Sequence, residues 1–87
     1  MFHALADPTR RRILELLREV ERPAGDLLEA FRISQPAISQ HLRVLREAGL
    51  VRIRRAGREH LYRADPRPLS AVQEWVGRAL ASGRRAR

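Results

Sequence analysis

The chain has 87 residues, a formal net charge of +8 and no cysteine. We expect residues 1–87 to form one small domain whose core cannot enclose a deep catalytic cleft, and the lack of cysteine excludes disulfides and thiolate metal sites. No apolar run approaches the roughly 18 residues of a membrane span. Because the first residues, MFHALADPTRRR, also lack the apolar core of a signal peptide, we expect a cytoplasmic protein without membrane contact.

The positive charge is concentrated in the middle of the chain. All 18 basic residues are arginine, which stays protonated at physiological pH and offers a planar fork of donors to phosphates and guanine edges. Five arginines against six acidic residues give residues 1–31 a net charge of −1, eight against two give residues 32–63 a charge of +6, and five against two give residues 64–87 a charge of +3. Such a basic block predicts a docking surface for a polyanion.

Three helices are predicted before residue 32. A short one covers about residues 1–6. In ADPTRRRILELLREV, Asp7 is placed to cap a helix, Pro8 suits its first position, and apolar residues recur at helical spacing, which predicts a helix over residues 8–20. In ERPAGDLLEAF the same periodicity predicts a helix over residues 24–31.

The segment SQPAISQHLRVLREAGL predicts a fourth helix over residues 35–48. Ser34 can cap its first turn, Pro36 lacks only an N–H that would be unbonded there, and Gly49 suits a left-handed C-terminal cap. The helical spacing assigns three apolar residues to the core: Ile38, Leu42 and Leu45. The opposite face is polar and is expected to be exposed: Gln35, Ser39, Gln40, Arg43 and Arg46.

Apolar and polar residues then alternate in LVRIRRAGREHLYRA, which predicts a β-hairpin over residues 51–63. Gly57 can supply the positive φ that a tight turn needs. The arginines beside the turn are more numerous than is needed to protect a sheet edge, so we expect them to contact phosphates or the minor groove. They are Arg52, Arg54, Arg55 and Arg58.

After the helix-breaking DPRP, an apolar stripe in LSAVQEWVGRALAS predicts a last helix over residues 67–82, followed by a frayed basic tail over residues 83–87. This stripe could line a ligand pocket. A homodimer interface is the simpler expectation, because so small a chain cannot cover the apolar surface itself. The residues assigned to the interface are Phe2, Leu5, Leu69, Val72, Trp75, Val76, Ala79 and Leu80.

Taken in order, these elements predict a winged helix-turn-helix, a mainly α fold with a small β-hairpin (α+β). Residues 32–34 form the turn that presents the fourth helix to a major groove, and Ile33 should point inward. Three stretches, HALADPTRRRILELL, SQPAISQHLRVLREAGLV and RRAGREHLYR, resemble the winged helix-turn-helix repressors of the ArsR family, prokaryotic dimers that bind operator DNA.

The resemblance covers about residues 3–76. It implies that residues 34–48 are the recognition helix, that residues 51–63 are the wing, and that the first and last helices form the dimer interface. The family's metal sensors carry paired cysteines where this chain has PAGDLLEAF. A second metal site of the family uses histidines and acidic residues on the last helix, which here reads PLSAVQEWVGRALAS and has no histidine. We therefore expect a member that senses no metal and carries no cofactor, while a small-molecule or protein effector stays open.

Residues that contact DNA are predicted on the fourth helix and on the hairpin. Glutamine can pair with adenine, serine can bind a base or a phosphate, and the arginines further along the helix are assigned to phosphates. His41 is either a DNA-facing donor or a boundary residue beside the core, and Tyr62 either contacts DNA or packs within the hairpin. The full set is Gln35, Ser39, Gln40, His41, Arg43, Arg46, Arg52, Arg54, Arg55, Arg58 and Tyr62.

These features predict a sequence-specific transcriptional regulator, a homodimeric repressor of a pseudo-palindromic double-stranded operator. The alternative is a winged-helix module that binds protein or RNA without operator specificity. An enzyme is not expected. Pairs such as His41 with Ser39, or His60 with Glu59, lack a third catalytic group, and the sequence has no phosphate-binding glycine loop.

Overall fold

The computed structural model describes residues 1–85 as five helices and a small antiparallel sheet. The helices are α1 (Phe2–Leu5), α2 (Pro8–Glu19), α3 (Ala24–Phe31), α4 (Gln35–Glu47) and α5 (Arg67–Arg85). The strands are β1 (Arg22–Pro23), β2 (Val51–Ala56) and β3 (Glu59–Ala64). The predicted mainly α fold with a hairpin is thus confirmed. Within residues 1–85, none of the helices is long and apolar enough to cross a membrane.

The two terminal helices differ in length from the prediction. Helix α1 covers Phe2–Leu5 rather than residues 1–6, and α5 runs to Arg85 rather than ending near residue 82. The apolar stripe used for the prediction ends at Leu80, so the periodicity carried no signal for the last turn. Helix α5 thus includes the backbone of residues 83–85, and residues 86 and 87 of the predicted tail lie outside the described residues.

The sheet has a third strand that the sequence did not predict. The strand order is β1-β3-β2, with Arg22 opposite Tyr62 and Pro23 opposite Leu61. A strand of two residues is too short to show alternation, so no pattern in the sequence marks it. Pro23 fits at this edge because proline has no N–H to give to a further strand. The hairpin is consequently attached along β3 to the segment between α2 and α3.

Local capping fixes both ends of α4 and the start of α2. The Asp7 carboxylate accepts from the backbone N–H of Arg10 at 3.0 Å, and the Ser34 hydroxyl accepts from that of Ala37 at 3.3 Å. Gly49, with φ of +77°, follows the last turn of α4 in the left-handed conformation. These three caps were predicted from the sequence and are confirmed.

The core lies between α2, α3, α4 and the root of the hairpin, and it holds α4 from behind. Ile33 of the predicted turn is half-buried against it, as expected. Arg32 closes α3 in a left-handed conformation, φ +53°, which redirects the chain into α4. The buried members of the core are Ala4, Ile13, Leu14, Leu17, Leu27, Ile38, Leu42, Leu45, Leu50 and Val51.

Two arginines of α2 fasten α1 to the rest of the molecule. The Arg10 guanidinium donates to the carbonyls of Ala4 at 2.9 Å and His3 at 3.1 Å. The Arg11 guanidinium donates to the carbonyls of Leu5 at 2.8 Å and Ala6 at 3.1 Å. Because the last carbonyls of a helix have no partner within it, these bonds stabilise a helix of only four residues.

Candidate nucleic-acid interface

Helix α4 presents a polar face to solvent because its apolar face is anchored in the core. Ile38, Leu42 and Leu45 are buried at helical spacing, so the opposite side has a fixed direction. The five residues predicted for that side are all exposed: Gln35, Ser39, Gln40, Arg43 and Arg46. The structure therefore brings the amide, hydroxyl and guanidinium donors of α4 onto one accessible face.

The glutamines and Ser39 lie in the first half of α4, whereas Arg43 and Arg46 lie in the second. Arg43 donates through Nε to Glu47 Oε1 at 3.1 Å, an ion pair of two exposed side chains four residues apart. Such exposed pairs hold side chains weakly. Arg43 can consequently exchange Glu47 for a phosphate at little cost.

His41 lies at the boundary of this face rather than on it. Its side chain is 18 % exposed, and its Nδ1 lies 4.0 Å from Asp7 Oδ2. This nitrogen has no hydrogen-bond partner among the described residues. The pKa of Asp7 lies below its ordinary value, first because the carboxylate accepts the backbone N–H of Arg10 and further because His41 is near. Of the two roles considered for His41, this position matches the boundary residue.

The register of the hairpin sorts its side chains onto two faces. Strands β2 and β3 are joined through Gly57, whose φ is +63°, and Arg58. Val51 is buried in the core and Tyr62 packs against it half-buried, and Ile53 lies on the same face of the sheet because it pairs with Tyr62. Arg52 and Arg54 therefore point to the outer face, since neighbouring strand residues alternate in direction.

Arg54 is held by a carboxylate that is far away in the sequence. Its Nε lies 2.8 Å from both carboxylate oxygens of Glu21, and its Nη2 lies 2.6 Å from Oε1. This hydrogen bond lowers the pKa of Glu21 and raises that of Arg54. Glu21 thus neutralises one of the arginines that we predicted to contact DNA.

Arg52 is held by Asp65, a buried carboxylate just beyond β3. Asp65 Oδ2 accepts from Arg52 Nε at 2.7 Å and from Arg67 Nη2 at 2.7 Å. Asp65 Oδ1 also accepts from the backbone N–H of Arg67 at 3.1 Å, at the start of α5. The root of the hairpin and the first turn of α5 are therefore joined through one side chain.

The tip of the hairpin carries the exposed arginines Arg55 and Arg58. Arg55 donates through Nε to the carbonyl of Gly57 at 3.2 Å, which orients it along the turn. Neither arginine forms an ion pair within residues 1–85. The protein therefore leaves the positive charge at the tip of the hairpin uncompensated.

The residues assigned to a dimer interface fall into two groups. Leu5 and Leu69 are half-buried against the core of the same chain. Phe2 and Trp75 are 66 % and 58 % exposed, and Val76, Ala79 and Leu80 continue this exposed surface along α5. An apolar groove of about 350 Å³ brings α1 and α5 together, and it is lined by Met1, Phe2, Pro68, Ala71, Val72 and Trp75.

Three residues that the sequence did not single out take part in the candidate DNA surface of the hairpin. Glu21 and Asp65 hold Arg54 and Arg52, and Arg63 lies directly opposite Arg52 in the hairpin. A turn placed at Gly57 and Arg58 would have set the register and so revealed Arg63. The two carboxylates had no comparable signal, because their contacts depend on how the sheet packs.

Comparisons with known proteins agree with this architecture. Residues 7–52 match the family model described as bacterial regulatory protein, arsR family. The chain is 40 % identical over 76 residues to the transcriptional repressor SdpR of Bacillus subtilis, an alignment that covers 87 % of this chain and 84 % of that protein. It is 44 % identical over 72 residues to the HTH-type transcriptional regulator Rv2034 of Mycobacterium tuberculosis, covering 83 % and 67 %.

Solved structures give the same result for the fold. An ArsR-like transcriptional regulator from Rhodococcus sp. RHA1 superposes with a TM-score of 0.93 at 36 % identity, covering 97 % of this chain and 77 % of that one. Helices, sheet and hairpin therefore have the arrangement of a known DNA-binding architecture.

Proposed function

The chain belongs to the arsR family of bacterial regulatory proteins and is a DNA-binding transcriptional repressor, and from this premise we propose that it represses as a homodimer on a pseudo-palindromic operator. The family consists of regulators rather than enzymes, which confirms the expectation that this chain is not an enzyme. We further propose that residues 1–87 act as one DNA-binding domain. It works in the cytoplasm, where a bacterial operator lies, and senses no metal.

Helix α4 is the recognition helix in this proposal. The observation that carries it is the exposed polar face of α4, which the buried Ile38, Leu42 and Leu45 hold in one direction. Gln35, Ser39 and Gln40 lie nearest to the N-terminal end, which such helices usually direct at base edges. We assign base contacts to these three residues, and phosphate contacts to Arg43 and Arg46.

The hairpin is the wing, and its tip contacts the DNA backbone or the minor groove. Arg55 and Arg58 are exposed and unpaired within the described part of the chain, which makes their charges available without breaking a bond inside the protein. Arg52 and Arg54 lie behind them on the outer face. His41 and Tyr62, being half-buried, support the surface from within.

The homodimer forms through the exposed apolar surface of α1 and α5. Phe2 and Trp75 meet in one groove and are too exposed for residues of their size in a monomer. A twofold axis through this surface would place two copies of α4 in major grooves about one helical turn, or a small multiple of it, apart. Repression then follows from occlusion of the promoter.

Selection of bound fragments from the source genome tests this function, because it gives the operator and its symmetry together. On a recovered operator, Gln40→Ala should cost about 1–3 kcal/mol while binding to random duplex DNA stays nearly unchanged. Glu74→Ala is the control, because it truncates an exposed polar side chain on the side of α5 away from Val72, Val76 and Leu80.

Equal losses on both duplexes would remove Gln40 from base recognition. A selection that enriches no duplex fragment over random DNA would favour the alternative winged-helix module without operator specificity. A selection that yields fragments without twofold symmetry would overturn the homodimeric arrangement.

A further inference from the structure

The root of the wing contains a positively charged concavity that joins Arg52, one of the arginines predicted to contact DNA, to residues that have no role in the function described above. It has a volume of about 350 Å³ and is lined by Arg52, Arg63, Ala64, Asp65, Pro66 and Arg67. The three arginines and one carboxylate leave this rim with a net charge of +2. It lies at the end of the wing opposite the tip, where β2 and β3 meet α5.

Asp65 and Arg67 already form a complete pair without further help. The Asp65 side chain is 7 % exposed, and it accepts from Arg67 through Nε at 3.0 Å, Nη2 at 2.7 Å and the backbone N–H at 3.1 Å. A buried carboxylate needs this degree of compensation. Arg52 is therefore additional to what the charge of Asp65 requires.

The guanidinium of Arg52 is held only at its Nε. Its Nε donates to Asp65 Oδ2 at 2.7 Å, and its terminal Nη1 and Nη2 make no hydrogen bond within residues 1–85. A guanidinium offers five N–H donors, so the terminal edge stays available for an anion. Arg54 differs, because both its Nε and its Nη2 are occupied by Glu21.

Arg63 adds a second positive charge. It lies near enough to Glu21 to help lower the pKa of that carboxyl, but Glu21 is bonded to Arg54. It lies directly opposite Arg52 across the two strands, is exposed, and forms no ion pair among the described residues. Like charges directly opposite each other destabilise a sheet. An anion bound between Arg52 and Arg63 would remove this repulsion.

We propose that this concavity binds a backbone phosphate of the DNA, with Arg52 and Arg63 as its ligands and Asp65 as the positioning residue that aims Arg52. The inference rests on the proposed function, since the wing must lie on DNA for the phosphate to arrive. It adds an anchor at the root of the wing to the contacts of the tip. Because Asp65 also caps α5, this anchor is fixed to the helix that carries the apolar surface.

The test measures binding to a random-sequence duplex by fluorescence anisotropy over a series of salt concentrations, since phosphate contacts do not depend on base sequence. Arg63→Gln should reduce the slope of log affinity against log salt by up to about 0.9 per lost contact. Arg78→Gln removes the same charge from an exposed position in the middle of α5 and should leave the slope nearly unchanged.

The direction in which Asp65→Asn changes DNA affinity tests whether Asp65 positions Arg52. Removing a negative charge should strengthen the binding of a polyanion, and Glu59→Gln, an exposed change of the same charge in the wing, is the control for that effect. If Asp65 aims Arg52, Asp65→Asn should instead weaken binding by about tenfold, the equivalent of one charged hydrogen bond.

If Asp65→Asn does not fold, Arg52→Lys takes its place. Lysine keeps the charge but replaces the planar guanidinium with a compact ammonium, so it cannot keep the fixed geometry in which Nε meets Asp65 while the terminal nitrogens face the concavity. We expect a loss of affinity at unchanged net charge. Unchanged affinity in Arg52→Lys, or tighter binding by Asp65→Asn that matches Glu59→Gln, would overturn the positioning role.

The outcomes also separate this inference from the function on which it rests. Wild-type protein that fails to bind the duplex at low salt would refute DNA binding itself. Salt-dependent binding by the wild type with an unchanged slope in Arg63→Gln would refute only the phosphate site. Saturable binding of inorganic phosphate to the DNA-free protein, abolished by Arg63→Gln while the DNA slope stays unchanged, would assign the concavity to a small anion instead.

Discussion

Trp75→Ala should dissociate the proposed homodimer without unfolding the protein. Trp75 exposes 58 % of its surface in the single chain. This fraction amounts to about 140 Å² of a side chain that can bury up to about 250 Å². Because Trp75 lies in the groove between α1 and α5 and does not belong to the buried core, its removal leaves the packing of α2, α3 and α4 intact.

The expected magnitude follows from this area. If a partner covers half of the exposed ring, about 70 Å² at about 25 cal/mol per Å² contributes nearly 2 kcal/mol per protomer. A twofold interface contains the contact twice, so the dimer loses about 3.5 kcal/mol. That corresponds to a dimer Kd raised by a few hundredfold.

Sedimentation equilibrium over a concentration series measures this Kd, and circular dichroism confirms that the helices persist. Val20→Ala is the control, because Val20 is an exposed apolar residue at the end of α2 and does not line the groove. A dimer Kd unchanged by Trp75→Ala would place the interface elsewhere. An equal effect of Val20→Ala would attribute the change to general surface hydrophobicity.

Two further predictions concern the arginines of the wing and their carboxylate partner. Arg58→Gln should lower the slope of log affinity against log salt by up to about 0.9 per lost phosphate contact. Arg54→Gln should lower this slope less, because Glu21 already neutralises Arg54. Equal reductions in the two variants would show that Glu21 does not compete with DNA for Arg54. The pKa of Glu21 lies below its ordinary value of 4.5, so the stability that its bond to Arg54 contributes is fully present above pH 4.5 and is lost as the pH falls through the lowered pKa. In thermal unfolding, Glu21→Gln should therefore be less stable than the wild type at neutral pH and equally stable in acid, whereas a difference that persists in acid would contradict this ion pair as its source.

The positions of the main elements were predictable because their signals lie within a few residues of each other. Asp7, Ser34 and Gly49 mark helix ends through bonds and backbone angles that involve only their own turn. The periodic apolar residues of α4 place its polar face outside wherever the core lies. For the same reason the sequence predicted the exposed side chains of the candidate DNA surface, including Gln35, Ser39 and Gln40.

The tertiary structure decided how those side chains are held. Strand β1 exists only because β3 lies beside it, and Glu21 reaches Arg54 across 33 positions of the sequence. His41 is turned towards Asp7, and Asp65 joins the wing to α5, through packing that local periodicity does not encode. The sequence by itself determined which residues face outward. The pairing of strands and helices determined which of those charges the protein neutralises and which remain available to DNA, because an ion pair depends on distance in space rather than on spacing along the chain.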